Sequence, residues 1–288
     1  MIIVTGATGQ LGHQIVEQLI KRVPASKVGA SVRDLSKAAN LKALGLRVRQ
    51  GSFDNVESLK QTFDGATQIL IVSSNARASG GDPLAQHQNA IAAAKAVGAE
   101  RIVYTSHMAA SASSAFPPAL DHAATEDMLA KSGMKWTALR HGFYAASGIA
   151  MLGDGLKTGV IEAPTDGKVS WTAHADLAEA AAIILAHEGK YDGPTPPLTG
   201  SQALDFADLA KIATDLFGKS IQRQTLTDEE LKAKVVARGA HESIARLALG
   251  FFIASRNGEF ATVDPTLEQL LGRPLTSLRD VMAQKAKS

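Results

Sequence analysis

No cysteine occurs anywhere in the chain. That absence removes disulfides, thiolate nucleophiles, zinc–cysteine sites and iron–sulfur clusters together. Aromatic residues are scarce, at 5% of the sequence, so each one beside a functional loop carries weight. Neither charge sign dominates: 30 Lys and Arg stand against 28 Asp and Glu, a net charge of +2. A nucleic-acid binder that works by displacing counterions needs a larger basic surplus. Long apolar runs are also missing. The best, Ala178 to Ala186, is interrupted by Glu179 and falls well short of the ~20 residues of a membrane helix. A strand-like run starts at Met1, with no basic segment and apolar stretch before it, so a cytoplasmic protein is expected. His, Asp and Glu show no metal-ligand spacing, and no metal is expected. What remains is a globular composition, 45% hydrophobic over 288 residues, enough for one large α/β unit with an appendage.

The first twelve residues hold the strongest signal. Ile2-Ile3-Val4-Thr5 reads as a short strand that runs into Gly6-Ala7-Thr8-Gly9-Gln10-Leu11-Gly12, a G-x-x-G-x-x-G spacing. Leu11, Ile15, Val16, Leu19 and Ile20 follow at helical spacing. In such a turn the first glycine permits the sharp exit from the strand and the second admits a pyrophosphate close to backbone. The third lets the helix pack tightly on the sheet. The helix N-terminus offers free N–H groups and a positive dipole end. The strand–turn–helix context predicts a dinucleotide site, with Gly6, Thr8, Gly9, Gln10 and Leu11 at the phosphates.

Strands and helices then alternate. Strands are expected over 27–33, 47–50, 68–73, 101–106 and 136–140. Helices are expected over 10–22, 35–44, 56–63, 84–97 and 121–131, with a small-residue loop over 109–118. Right-handed crossovers turn this into an α/β, Rossmann-type doubly wound parallel sheet with its functional loops along the strand C-termini. Past Arg140 the rhythm loosens into a helix and turn over 142–159, an extended piece over 169–172, a helix over 176–188 and a last strand over 197–200. From Ser201 the pattern is helical, over 205–217, 228–238, 241–252 and 265–271. The expected division is a nucleotide-binding domain of 1–142 and 169–200, with a smaller, mainly helical C-terminal substrate-binding cap of 143–168 and 201–288.

The end of the second strand chooses between NADPH and NADH. It reads Ser31-Val32-Arg33-Asp34, and Arg33 can grip a 2′-phosphate bidentately, with Lys37 adding positive charge. Asp34 is the competitor, since an inward carboxylate would bind the ribose hydroxyls of NADH. NADPH is expected, with NADH possible. Phe53-Asp54 after the third strand suits an adenine, and Ser73, Ser74 and Asn75 after the fourth lie beside the dinucleotide path.

An ordered set of motifs joins these: Val4 to Gly12, Val32-Arg33, Gln86-His87-x-Asn89 with Ala93-Ala94-Lys95, and Tyr104-Thr105-Ser106. Further on come His122-x-x-Thr125-Glu126, Leu139-Arg140-His141-Gly142-Phe143-Tyr144 and Ala175-Asp176. Over nearly its whole length the chain resembles the NmrA-like, atypical branch of the short-chain dehydrogenase/reductase family. Within that branch it resembles the type 2 NADPH:quinone oxidoreductases and the triphenylmethane dye reductases. The resemblance implies cofactor contacts at Ser106, His141, Gly142, Phe143 and His174. His141 stands where those relatives are expected to have asparagine, so this turn's part in substrate preference is open.

Most of the superfamily protonates a carbonyl with the tyrosine of a Tyr-x-x-x-Lys pair, whose lysine lowers the tyrosine pKa. Four places beyond Tyr104, Tyr144 and Tyr191 lie Met108, Gly148 and Thr195, so no such pair exists. His122 and Glu126 occupy the corresponding helix face, and a glutamate cannot replace the ammonium group. Hydride transfer to an electron-poor conjugated acceptor asks less of the protein, mainly stacking at near-attack distance. The expected acceptor pocket is Met108, Phe143, Tyr144, Met151 and Trp171, with Phe251-Phe252 as further candidates; the alternative is that these only pack. His122 and Tyr144 are the candidate catalytic groups, His122 as proton donor or as a mere helix residue. His87 is read as a ligand contact or as surface. Ser106 lacks a nucleophile elbow, so a hydrolase is not expected.

The leading expectation is therefore an NADPH-dependent reductase of quinones or of azo and triphenylmethane dyes, acting on a small aromatic or quinone-like substrate. A non-catalytic NADP(H)-sensing regulator of the NmrA type is the alternative. A reductase or isomerase of phenolic metabolites fits less well, because the lysine those relatives use is absent. No nucleic acid or membrane partner is expected, and the chain is read as a monomer or a homodimer.

Overall fold

Residues 1–285 are described in the computed structural model. Elements follow in chain order. The β-branched run Ile2–Thr5 (β1) leads through the glycine turn into Gln10–Leu19 (α1), which buries Leu11, Ile15, Val16 and Leu19. Next come Val28–Val32 (β2), Ala39–Ala43 (α2), Arg47–Gln50 (β3), Val56–Phe63 (α3), Gln68–Ile71 (β4) and Pro83–Ala96 (α4). Arg101–His107 (β5), Pro117–Lys131 (α5) and Lys135–His141 (β6) complete the alternation. Ala145–Met151 (α6), Gly155–Thr158 (α7) and Val160–Pro164 (β7) precede His174–Ala186 (α8) and Gly193–Pro194 (β8). The chain ends with Phe206–Phe217 (α9), Gln222–Leu226 (β9), Asp228–Ala237 (α10), Glu242–Arg256 (α11), Thr266–Leu271 (α12) and Leu278–Lys285 (α13). Among the described residues no helix is long and apolar enough to cross a membrane.

The chain divides into two compact units. The first comprises Met1–Ser106, Asp121–Arg140 and His174–Pro196. Its seven-stranded parallel sheet runs β3-β2-β1-β4-β5-β6-β8, a Rossmann-type order with the reversal at β1/β4. Central strands buried on both faces read as continuous apolar runs, and β4 (Gln68-Ile-Leu-Ile71) pairs Ile69 with Ile3 on one side and Ile102 on the other. Around them Leu59, Phe63, Ile91, Tyr104 and Leu129 close the core. Each such side chain contributes roughly 1.5–3 kcal/mol by leaving water. Helix α8 is apolar nearly all round and is correspondingly buried against α1.

The second unit comprises His107–Leu120, His141–Ala173 and Pro197–Ser288. Contacts thus group 107–120, 141–142, 169–173 and 197–200 with this unit, although their place in the sequence put them with the nucleotide-binding part. Its core gathers Phe116, Trp171, Phe206, Phe251, Phe252 and Phe260. It also holds a two-stranded parallel sheet that the sequence pattern misses: β7 pairs with β9 from Val160↔Gln222 to Pro164↔Leu226. Only Leu226 of β9 is buried, so the strand lacks the apolar signature of its type. Beside it Asp166 accepts from the Phe206 N–H at 2.8 Å and pairs with Arg223 at 2.7 Å. The expected strand over 197–200 is reduced to a bridge, His141↔Leu198, and the sheet's last strand is β8. Helix α5 begins at Pro117 instead of Asp121, because the missing N–H of a proline costs nothing in a first helical turn.

Candidate functional site

The strands of the first unit's sheet run parallel, so the loops that follow β1 to β5 share one edge. At β1 the chain turns through Gly6, whose φ of +60° is open to glycine at little cost, and Gly9 N–H closes the turn on the Gly6 carbonyl at 2.9 Å. Gly9 is the N-cap of α1 and brings no side chain to it, nor does an acidic residue occupy the first turn. The donors at Gln10 and Leu11 therefore belong to whatever anion arrives. A Cβ on Gly12 would stand 2.3 Å from the Gly6 carbonyl oxygen, so helix and turn touch backbone to backbone. Thr8 is exposed beside them.

At β2 the two rivals separate. Asp34 turns to its own chain and caps the short 3-10 turn at Leu35–Ala38, accepting from Ser36 N–H at 2.9 Å and Ser36 hydroxyl at 2.6 Å. Those bonds hold its carboxyl below the ordinary range, so it stays ionised and occupied. Arg33 is exposed, and among the described residues nothing hydrogen-bonds or ion-pairs with its guanidinium. The side chain of Gln50, at the end of β3, holds the Arg33 carbonyl at 2.9 Å. Arg33, Arg49, Gln50, Ser52 and Lys60 line an open cleft of about 950 Å³.

Helix α4, capped by Asp82 and opened by Pro83, holds the next two crests. Asn89 donates to the Phe53 carbonyl at 2.9 Å, and Gln86 donates to Asp54 at 2.8 Å while accepting from the Ser74 hydroxyl. Ser73 N–H bonds Thr105 Oγ1 at 2.8 Å, and Asn75 is exposed. His87, left as a ligand contact or surface by the sequence, is buried and binds Ser74. Its membership in an Ala-rich, weakly patterned helix hides that role.

Glu126, on the helix face where the resemblance implies the superfamily's lysine, is fully engaged. Arg140 donates to it twice, at 3.1 and 2.6 Å, and Ser106 Oγ donates at 2.6 Å. The carboxylate ties α5 to β6 instead of serving chemistry. Ser106 has committed its proton there and is 3% exposed, so the cofactor contact expected of it has little surface to use. His122 Nδ1 lies 2.7 Å from the Tyr104 hydroxyl. His174 opens α8, and burial lowers its pKa, favouring neutral imidazole.

In the second unit Phe143 is the hub of an aromatic cluster, with ring centroids 4.9 Å from Phe251, 5.2 Å from Phe260, 5.5 Å from His107 and 5.6 Å from Trp171. His107, Phe116 and Phe260 escaped the sequence reading; their only signal is the aromatic character of each residue, spread over 107–260. Trp171 is 3% exposed and donates to the Leu204 carbonyl at 2.9 Å, and Met108 packs against Ser170 at 3.4 Å. Both, with Phe251 and Phe252, are buried in the core of this unit. Large apolar side chains gain most by full burial. Phe143, Tyr144 and Met151 keep some exposed surface. Burial pushes the Tyr144 phenol up to about 12, the reverse of a tyrosine acid. His141 is buried, its carbonyl taken by Met108 N–H, and Gly142 N–H bonds Leu198 at 2.7 Å.

Desolvation lowers the pKa of His87 and of His107 to about 4, against 6.5 in an unfolded chain. Between those values the unfolded state binds the extra protons, so stability is lost as pH falls from 6.5 towards 4, on the order of 2–3 kcal/mol for His87. Asp166, whose pKa burial raises, works against this trend. Urea midpoints recorded from pH 7 to 4 are expected to fall, and less steeply in H87Q; an identical slope in H87Q would remove His87 from this account.

Comparison with known proteins agrees with these features. The chain is 36% identical over 281 residues to quinone oxidoreductase 2 of Escherichia coli, covering 97% of this chain and 96% of that protein. It is 27% identical over 276 residues to the NAD(P)H azoreductase of Xenophilus azovorans, covering 95% and 94%. The crystal structure of an NADPH-dependent quinone oxidoreductase from Escherichia coli, complexed with NADPH, superposes with a TM-score of 0.92 at 35% identity, over 99% of this chain and all of that one. The triphenylmethane reductase of a Citrobacter species complexed with NADP(H) gives 0.88 at 32% identity, over 99% of each chain. The NmrA-like family profile matches residues 1–280, and the chain belongs to that family.

Proposed function

We propose that the chain is an NADPH-dependent reductase of quinones or of quinone-like azo and triphenylmethane dyes, acting in the cytoplasm as a monomer or homodimer. One observation supports the choice of chemistry: Glu126, on the helix face where the resemblance implies the lysine, is bound to Arg140 and Ser106. With no Tyr-x-x-x-Lys spacing in the sequence, this favours acceptors that need no tyrosine–lysine acid. Relatives named for quinone, azo-dye and triphenylmethane reduction support the same class.

The first unit fits NADPH. The uncapped α1 N-terminus and the glycine contact at Gly6 and Gly12 suit a pyrophosphate, and Arg33, without a partner among the described residues, suits a 2′-phosphate that Asp34 does not oppose. Phe53 and Ser73 to Asn75 line the rest of the nucleotide path, with His141, Gly142, Phe143 and His174 as further contacts. Bound NADPH supplies a hydride. Tyr144, a neutral phenol held by burial, gives the acceptor a hydrogen bond, and His122, oriented by Tyr104, returns a proton to the reduced product.

Purified protein with NADPH and no added flavin is expected to bleach such an acceptor in step with NADPH oxidation. In the same assay Y144F raises the acceptor KM a few-fold with kcat kept, and H122A lowers kcat about tenfold. No turnover across a panel of quinones and dyes sinks the proposal. Unequal binding of NADP+ and NADPH without turnover points to the sensor instead.

A further inference from the structure

His87 is a buried histidine, 2% exposed, with both ring nitrogens engaged. The Ser74 N–H can only donate, so Nε2, 2.9 Å away, carries the lone pair. The Asp121 carbonyl can only accept, so the Thr125 hydroxyl, 2.8 Å from it, spends its proton there. Thr125 Oγ1 is then left to accept from His87 Nδ1 at 2.9 Å. Every direction in the chain is forced. The imidazole is neutral with its proton on Nδ1, and burial, which lowers its pKa to about 4, acts the same way. The edge-on Tyr104 ring, 5.2 Å between centroids, packs against the imidazole.

The far end of this chain is tied a second time. Asp121 takes the His87–Thr125 relay on its backbone carbonyl and Arg77 on its carboxylate, at 2.7 and 2.5 Å. The segment after β4 is thus tied to α5 through His87 of α4 at Ser74, and directly by Arg77 to Asp121. The Ser74 hydroxyl adds a third hold, accepting from Ala76 N–H at 3.0 Å while it donates to Gln86.

We propose that His87 is a positioning residue for the nucleotide: as the Nδ1–H tautomer set by Thr125, it holds Ser73 to Asn75 in the conformation that meets the dinucleotide, a role that rests on the cofactor reading above. A side chain without an acceptor at this place leaves the Ser74 N–H without its imidazole partner. Protonation would set donor against donor.

Calorimetric titration of the full chain with NADPH tests this, alongside thermal melting. H87F is expected to weaken NADPH about tenfold, the worth of a lost buried hydrogen bond. H87Q, whose amide can accept from Ser74 and donate to Thr125, is expected to recover most of that loss. T125V loses several-fold, because Nδ1–H is left unanswered, while T125S binds like wild type. Long-range proton–nitrogen NMR should find the His87 proton on Nδ1. Undiminished binding by H87F, equal losses in H87F and H87Q, or a proton on Nε2 overturns the role. If H87F does not fold, T125V against T125S decides, and equal affinities overturn it. Wild-type protein that fails to bind NADPH brings down the cofactor reading and this role with it. Wild-type binding with unaltered variants removes this role alone.

Discussion

Replacing Gly12 with alanine is expected to abolish measurable NADPH binding, a loss of roughly a hundredfold or more. The new Cβ would meet three backbone atoms of the β1–α1 turn: the Gly6 oxygen at 2.3 Å, the Gly6 carbonyl carbon at 2.8 Å and the Ala7 Cα at 3.1 Å. None can rotate aside as a side-chain tip can. Helix α1 must move outward, at about 1–3 kcal/mol for overpacking, and it carries its free N–H groups away from the anion position. Gly9 provides the contrast, since its added Cβ would stand 3.2 Å from the same oxygen, where a small shift suffices. G9A should therefore bind more tightly than G12A. Calorimetry and thermal melting separate a displaced cradle from an unfolded chain. A G12A protein that melts like wild type and binds NADPH within threefold of it would refute the backbone-contact account.

Replacing Arg33 with alanine is expected to weaken NADPH about thirtyfold while leaving NADH unchanged. Charge-assisted, bidentate bonds to a phosphate contribute about 1.5–3 kcal/mol. The guanidinium has no other partner among the described residues, so its removal leaves no buried charge behind. Asp34 remains engaged by Ser36, so the variant should not gain affinity for NADH. The wild-type preference should shrink with added salt, as an exposed phosphate contact does. Equal losses for both nucleotides would show that the charge does not read the 2′-phosphate.

Much of the first unit is legible in the sequence because local and long-range signals agree there. Arg47–Gln50 and Val56–Phe63 are found at their observed bounds, since Asn55 and the apolar spacing of Leu59 and Phe63 mark the helix. The glycine turn likewise announces its geometry. Contest between neighbours is not legible: nothing in Arg33-Asp34 says that Ser36 will capture the carboxylate. Burial of polar residues is also hidden. His87 and Ser106 look like surface or ligand contacts until the helices that enclose them are in place. For the aromatic residues of the second unit the sequence leaves pocket wall and packing open, and nothing in it announces that Trp171 and Phe251 are almost fully buried. Strand β9 satisfies its backbone through β7 while showing polar side chains, so no periodicity reveals it.

The order in which the first unit closes has a consequence for biogenesis. Helix α1 waits for α8, Gln68 for the Leu185 carbonyl at 3.2 Å, and β6 for the Thr137↔Gly193 pairing. A ribosome must therefore release most of the polypeptide, second-unit segments included, before the nucleotide-binding sheet gains its last strand. Fragments that stop near residue 140 should emerge with an uncovered greasy helix and seek chaperones or one another.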